Sequence, residues 1–170
     1  MEQEKLRFKD AATGIYSRDY FLETGEYLLA LATRGKAPLT ICAVDIDYLN
    51  RVNEVFGKRI GDEVIKTVAM TVDLKSRRSD LAGYLGAGTI GLILYDISGV
   101  NTGMVLNGLR KKVEYAIKNL NYPKLKATVS IGACMIQGEM DKEKLEVIYK
   151  RAFTALKNAK EAGRNKVVVY

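Results

Sequence analysis

The sequence contains no histidine and no tryptophan, and its 170 residues include only two prolines and two cysteines. Without histidine, the chain lacks the commonest general base, the commonest zinc ligand and the usual pH switch. No apolar run reaches the roughly 18 residues that a membrane span needs. The charged segment 1–9 lacks the apolar centre of a signal peptide. These absences predict a cytoplasmic protein with no membrane segment in this chain.

The few cysteines and the excess of basic residues indicate the state of the thiols and the kind of partner that this chain binds. Cys42 and Cys134 each lie in an apolar, strand-like run, which favours reduced core thiols. The net charge of +7 favours an anionic partner, either a nucleotide or a nucleic acid. The aromatic residues do not alternate with basic residues along strands, so no stacking platform for RNA is indicated. We therefore expect a nucleotide and no nucleic acid.

Apolar periodicity predicts a regular succession of helices and strands, with no internal repeat and no Pro- or Ser-rich linker. The predicted helices cover 17–33, 48–56, 62–75, 102–119 and 141–162, and the predicted strands cover 39–46, 80–85, 89–94, 125–135 and 166–170. After the leading helix the order is β-α-α-β-β-α-β-α-β. A hairpin among strands otherwise separated by helices predicts an α/β fold, a mixed central sheet flanked by helices. We place this domain at 10–170 and a linker stub at 1–9.

Two carboxylates stand at the end of the predicted strand 39–46, and the two-residue period of a strand puts Asp45 and Asp47 on one side. Carboxylates at a strand end beside a hairpin are how a palm-type polymerase or cyclase holds Mg²⁺ against a triphosphate. For Asp47 we favour a simpler role, as N-cap of the helix that begins at Tyr48. Asp45 follows apolar residues, where a carboxylate needs a partner or a metal, and it is the candidate metal ligand.

Several motifs resemble those of GGDEF diguanylate cyclases. The segment from Asp45 to Asp62 is similar to that family's first long motif. Further matches, in the family's order, are Thr13-Gly14 with Arg18 and Phe21, Val129-Ser130-Ile131-Gly132, Arg151-Ala152, Ala159-Lys160 and Gly163-Arg164-Asn165. The resemblance implies the nucleotidyl-cyclase palm fold. It also implies a family whose members condense two GTP molecules into cyclic di-GMP between two facing subunits, so a homodimer is one expected assembly.

The signature Gly-Gly-Asp-Glu-Phe occupies the turn between the hairpin strands in that family. Here the turn reads Gly86-Ala87-Gly88-Thr89-Ile90, so both acidic positions are changed. Other departures are Tyr84, Lys58, Glu54, Phe153 and Lys157, where the family carries Arg, His, Asp, an acid and an aromatic residue. Asp45 remains the one expected carboxylate, whereas Mg²⁺ needs more oxygen ligands. We therefore predict a degenerate domain with no catalytic residue and no required cofactor, and at most residual Mg²⁺ binding at Asp45.

The resemblance also implies nucleotide-binding residues. In the family, residues matching Asn53 and Asp62 hold guanine, and residues matching Lys160 and Arg164 reach phosphates. Carboxylate and amide groups suit a guanine edge, and cationic groups suit phosphates. The alternative is that Asp62 is the N-cap of a helix beginning at Glu63 and that the two cations are a basic helix end.

Arg77 and Asp80 match an Arg-x-x-Asp motif that precedes the signature by six residues and forms an inhibitory cyclic di-GMP site in the family. The Arg can fork onto a phosphate or guanine edge, and the Asp can accept from guanine N–H groups. The alternative is a basic helix end that runs into a strand.

We therefore expect a module that senses cyclic di-GMP at this pair and regulates a neighbouring domain, a sensor or a phosphodiesterase, outside this chain. The alternatives are a GTP-binding regulatory module, a nucleotide-free dimerisation scaffold and a weak residual cyclase.

Overall fold

The computed structural model describes residues 8–97, 99–136 and 143–170. Its helices are α1 (Arg18–Gly35), α2 (Leu49–Phe56), α3 (Lys58–Lys75), α4 (Gly99–Lys118) and α5 (Leu145–Glu161). Its strands are β1 (Leu39–Ile46), β2 (Leu81–Gly86), β3 (Thr89–Tyr95), β4 (Val129–Ile136) and β5 (Val167–Val169). The predicted order of elements and the α/β class are confirmed.

The strands form one mixed sheet in the order β2-β3-β1-β4-β5. The first three pairings are antiparallel, and β5 lies parallel to β4. The central position of β1 explains its apolar run, because a strand covered on both faces has no polar side. Asp45, its second-to-last residue, lies between Thr89 of β3 and Ser130 of β4.

Helices cover both faces of the sheet. Even-numbered residues of β1 belong to the core beneath α3 and α4, and odd-numbered residues belong to the core beneath α1 and α5. The closest approach is at Gly132, where an added Cβ would lie 2.0 Å from the backbone nitrogen of Leu156. This contact holds α5 tightly against β4 and fixes where its C-terminal residues meet the end of β1.

Several predicted boundaries differ from the structure. Helix α3 begins at Lys58 rather than Asp62, because Gly57 (φ 85°) ends α2 and lets the next helix start at once. Strand β4 begins at Val129 rather than Leu125, since the Leu125 amide donates to the Tyr122 carbonyl at 3.1 Å in a turn. Helix α4 begins at Gly99 rather than Thr102. The predicted start of α5 at 141 lies outside the described residues.

The segment before α1 lies along the outer edge of β2. Tyr16 forms bridges with Lys9 and with Gly83, and its carbonyl accepts from the Tyr84 amide at 2.8 Å. The Phe8 ring packs at a tilt against the Tyr20 ring, with 5.0 Å between ring centroids. Residues 8 and 9, which the sequence assigns to a linker stub, therefore contact the domain, and residues 1–7 lie outside the described part.

Both cysteines are free and buried, as predicted for core thiols. Burial raises the pKa of the Cys42 thiol and that of the Cys134 thiol, so neither is a ready nucleophile. Among the described residues, no helix combines the length and the apolar character that crossing a bilayer requires.

Candidate functional site

Asp45 has two partners of different kinds. Its Oδ1 accepts a hydrogen bond from the Thr89 hydroxyl at 2.5 Å, and its Oδ2 pairs with the Lys160 ammonium from the last turn of α5. The Asp45 side chain is 13% exposed and that of Lys160 is 33% exposed. The carboxylate therefore carries an intramolecular cation at the position where the resemblance implies a metal.

Asp47 has a structural role that the sequence did not predict. It is 2% exposed and makes no capping bond to α2, so its prediction as an N-cap is wrong. Its carboxylate accepts from the hydroxyls of Ser130 at 2.7 Å and Thr128 at 2.6 Å, and from the Asn165 amide at 3.1 Å. It therefore ties the end of β1 to the start of β4 and to the loop before β5.

The turn between β2 and β3 is built from backbone in the left-handed region. Gly86, Ala87 and Gly88 have φ of 99°, 51° and 81°. The Gly88 amide donates to the Tyr84 hydroxyl at 3.3 Å. A Cβ on Gly88 would lie 2.6 Å from Cδ2 of Leu49. A side chain at this signature position thus requires both backbone strain and movement of Leu49.

The two residues matched to guanine binding lie on neighbouring helices. The Asn53 side chain packs directly on Gly61, where an added Cβ would lie 1.7 Å from its Oδ1. That oxygen is buried and has no hydrogen-bond partner within the described part of the chain. Asp62 is exposed and pairs with Lys58 at 3.1 Å. It lies inside α3, so the alternative in which it caps a helix beginning at Glu63 is wrong.

Arg164 lies at the same end of the sheet as Asp45. Its guanidinium carbon is 4.4 Å from the centroid of the Tyr48 ring, and Nη1 donates to the Tyr48 hydroxyl at 3.2 Å. The neighbouring Asn165 accepts from Nη1 of Arg110 at 2.5 Å, which anchors this loop to α4. The structure thus brings both cations matched to phosphates, Lys160 and Arg164, to the C-terminal end of β1.

Arg77 and Asp80 form a tight turn between α3 and β2. Oδ2 of Asp80 accepts from the Arg77 amide at 2.7 Å, and Oδ1 accepts from the Tyr95 amide at 3.2 Å. The Asp80 side chain therefore contacts the backbone of Arg77, and the Arg77 guanidinium takes no part in the turn. The exposed Arg77 side chain lines a pocket of about 370 Å³, together with Pro38, Asp96, Ile97, Asn101, Met104 and Val105.

Comparison with known proteins identifies the family. The model of the diguanylate cyclase GGDEF domain matches residues 7–166. The chain belongs to the GGDEF family.

The relatives of this GGDEF domain include named cyclases. It is 34% identical, over 98% of its length, to the probable diguanylate cyclase DgcT of Escherichia coli strain K12. It is 30% identical, over 96% of its length, to the response regulator PleD of Caulobacter vibrioides. In both cases it spans 36% of the relative, so the domain covers about a third of these proteins.

Solved structures share the fold. The GGDEF domain of DgcB from Caulobacter crescentus, in complex with c-di-GMP, matches with a TM-score of 0.86 at 24% identity, covering 95% of each chain. The diguanylate cyclase SiaD of Pseudomonas aeruginosa, in complex with its activator SiaC, matches with a TM-score of 0.85 at 24% identity, covering 99% of this chain and 64% of SiaD. The predicted family and the predicted palm fold are confirmed, and the roles of the individual site residues stay predictions.

Proposed function

We propose that this GGDEF domain is a catalytically degenerate signalling module that binds cyclic di-GMP at Arg77 and Asp80 and regulates a neighbouring domain or partner. The observation that carries the proposal is the set of partners around Asp45. Strand β3 presents a threonine hydroxyl to this carboxylate, and α5 presents an ammonium. The anionic centre is thus neutralised from within the chain.

The residues around Asp45 do not fit a magnesium site. Mg²⁺ demands near-octahedral oxygen coordination and is bound through carboxylates, phosphates and waters. Here Thr89 and Lys160 donate to the one carboxylate at this position. Within 8–97, 99–136 and 143–170, no group of three or more His, Cys, Asp or Glu side chains is suited to a metal. We therefore infer no catalytic step through a metal, and cofactor-free binding is the expectation.

The turn supports the same inference. An acidic side chain at position 88 would need φ of 81° and the space that Leu49 fills. The loss of a metal in phosphoryl transfer costs several kcal/mol, and about 1.4 kcal/mol is already tenfold in rate. Weak residual cyclase activity is therefore the least favoured alternative.

The Arg77–Asp80 turn supports cyclic di-GMP as the ligand. Two backbone amides hold the Asp80 carboxylate, and each of its oxygens retains a lone pair for a guanine N–H. The Arg77 guanidinium stands beside a pocket of about 370 Å³ and is suited to a phosphate or guanine edge. The DgcB relative of the same fold was solved in complex with this dinucleotide.

Binding of GTP is the second candidate, and Asn53 is the observation in its favour. The buried, unpaired Oδ1 of Asn53 lies beside Gly61, which immediately precedes Asp62. However, phosphate binding would require Lys160 to give up its ion pair with Asp45 and Arg164 to give up its hydrogen bond with Tyr48. We therefore expect GTP to bind more weakly than cyclic di-GMP.

An activity assay tests the degenerate state. Purified protein incubated with GTP and Mg²⁺ should make no cyclic di-GMP above background, whereas a GGDEF domain with an intact signature, treated in parallel, should. The product is measured by chromatography. Clear product from the wild type that disappears in Asp45→Ala would establish residual cyclase activity and contradict this part of the proposal.

Calorimetric titration tests the binding site. Arg77→Ala should weaken cyclic di-GMP binding by roughly ten- to a hundredfold, because a charge-assisted bond is lost. The matched control is Arg78→Ala, an exposed neighbour, which should lose far less and mainly through salt-sensitive attraction.

Other titration results would select an alternative. Equal losses in both variants indicate only a basic surface. Tighter binding of GTP, reduced by Asp62→Ala, favours the GTP-binding module. No heat with either nucleotide leaves the dimerisation scaffold.

A further inference from the structure

A second pocket, of about 540 Å³, lies between α1, the β2–β3 turn and the first half of α5. We name it the α1–α5 pocket. Its volume falls within the roughly 300–1,000 Å³ that is typical of small-molecule sites. Its walls are mainly apolar and include Leu22, Leu85, Leu145, Tyr149 and Phe153. It is separate from the Arg77–Asp80 turn, which lies at the opposite end of β2.

Tyr149 gives this pocket an unsatisfied polar group. Tyr149 is 9% exposed, and its hydroxyl oxygen is buried with no hydrogen-bond partner among the described residues. Its ring packs edge-on against Phe21 and Phe153, with centroids 6.2 and 4.9 Å away. Burial raises the pKa of the Tyr149 hydroxyl, so it stays protonated and can donate. A buried donor without an acceptor is costly, and a ligand acceptor would relieve that cost.

The charged residues that line the pocket are two cations and two anions: Arg18, Lys150, Glu26 and Glu146. Glu146 pairs with Lys150 at 3.0 Å, and Oε1 of Glu26 accepts from the Leu145 amide at 3.1 Å. Arg18, by contrast, forms no ion pair among the described residues. Arg18 is therefore the cation of this lining whose guanidinium is left to donate to an anionic group, whereas the Glu26 carboxylate already accepts from the first amide of α5.

We propose that the α1–α5 pocket binds a small organic anion with an aromatic body, such as an aryl carboxylate or aryl sulfonate. The body packs against Phe153 and Leu85, an acceptor atom takes the Tyr149 hydrogen bond, and the anionic group faces Arg18. The proposal goes beyond nucleotide binding and does not depend on it. Because Gly86 and Thr89 also line the pocket, such a ligand contacts the turn whose Thr89 holds Asp45.

Two probes of this class test the proposal on the intact chain. The fluorescent probe 8-anilinonaphthalene-1-sulfonate should bind saturably, and 3-phenylpropionate should displace it. Phe153→Ser should weaken both probes at least roughly fivefold, because an aromatic wall is lost. The control is Tyr115→Ser, which changes an exposed aromatic residue on α4 that does not line the pocket and should leave both affinities unchanged.

Two further variants test the polar contacts. Arg18→Gln should weaken the probes by roughly three- to tenfold in a salt-dependent manner, whereas Arg34→Gln, at the other end of α1, should not. Tyr149→Phe should weaken 3-phenylpropionate several-fold and at the same time raise the Tm, because it removes a buried unpaired hydroxyl.

Three results would overturn the proposal. The first is an absence of saturable binding by either probe. The second is fluorescence that 3-phenylpropionate does not displace. The third is equal affinity in the wild type, Phe153→Ser and Tyr149→Phe, with all three proteins folded by circular dichroism.

Discussion

The two ends of the β2–β3 hairpin use their polar residues in opposite ways. At the open end, Asp80 accepts hydrogen bonds from the amides of Arg77 and Tyr95. At the turn end, the signature acids are absent, and Gly88 lies against Leu49. Of the acidic residues expected at the two ends of this hairpin, Asp80 therefore remains, and its carboxylate binds backbone amides. The presence of Asp80 alone does not indicate a ligand site, and the Arg77 guanidinium, which the turn does not use, is the stronger test.

The largest expected effect is at the turn end. Gly88→Ala should lower the free energy of unfolding by about 2–4 kcal/mol, the sum of left-handed strain and overpacking against Leu49. Gly86→Ala is the matched control, because its φ is 99° but an added Cβ meets nothing within 4 Å. It should cost only about 1 kcal/mol. Urea denaturation measures both, and equal costs would show that Leu49 does not fill the signature position.

Acidic side chains can be restored in the turn only if space is first made for them. Gly88→Asp with Thr89→Glu should raise Mg²⁺-dependent GTP affinity only when Leu49→Ala is added, since the Leu49 side chain occupies the required space. Titration of GTP with and without Mg²⁺ compares the double and triple variants. Identical affinities in the two would contradict the packing argument.

The open end should show a smaller effect. Asp80→Ala leaves two backbone amides without their acceptor and should cost about 1–2 kcal/mol, whereas Asp80→Asn retains one oxygen and should cost less. Arg77→Ala should change stability little, because Asp80 contacts its backbone. Denaturation beside calorimetry separates the two residues. A large stability loss in Arg77→Ala would mean that its side chain, too, serves the fold.

The smallest effect concerns the ion pair at the end of β1. Lys160→Met should cost at most about 1 kcal/mol, because the pair is partly exposed, and it should let Mg²⁺ raise the Tm more than in the wild type. The control is Lys157→Met, which removes an exposed pair with Glu161 at 3.7 Å. Equal Mg²⁺ responses in the two variants would show that Lys160 does not compete with a cation at Asp45.

Much of the fold follows from local sequence patterns. The predicted bounds of β1 agree with the structure to the residue, because Pro38 marks where the apolar run of this strand begins. Ser17, the first residue of the predicted helix 17–33, is the N-cap of α1 and accepts a hydrogen bond from the Tyr20 amide at 3.4 Å. Five apolar residues at helical spacing within the predicted helix 141–162 are all buried in α5: Leu145, Ile148, Ala152, Ala155 and Ala159. Periodicity of 3.6 residues carries this information directly.

The site was less predictable, because its contacts join distant parts of the chain. The local pattern assigns Asp47 to the nearest helix, whereas its donors, Thr128 and Asn165, lie 81 and 118 residues away in the chain. Nothing in the local sequence indicates that Leu49 fills the turn. Strand register was the one available signal, since it pairs Asp45 with Thr89 and so predicts their contact.

The bridge between Tyr16 and Gly83 has a consequence for assembly. An outer strand with free amides and carbonyls is a template onto which another chain can add a strand. Here the Tyr16 carbonyl accepts a hydrogen bond from the Tyr84 amide, and the N-terminal segment lies alongside β2. On this side the sheet therefore resists extension by a second copy. At this edge, two such domains would meet through side chains, and strand-by-strand growth into fibres is suppressed.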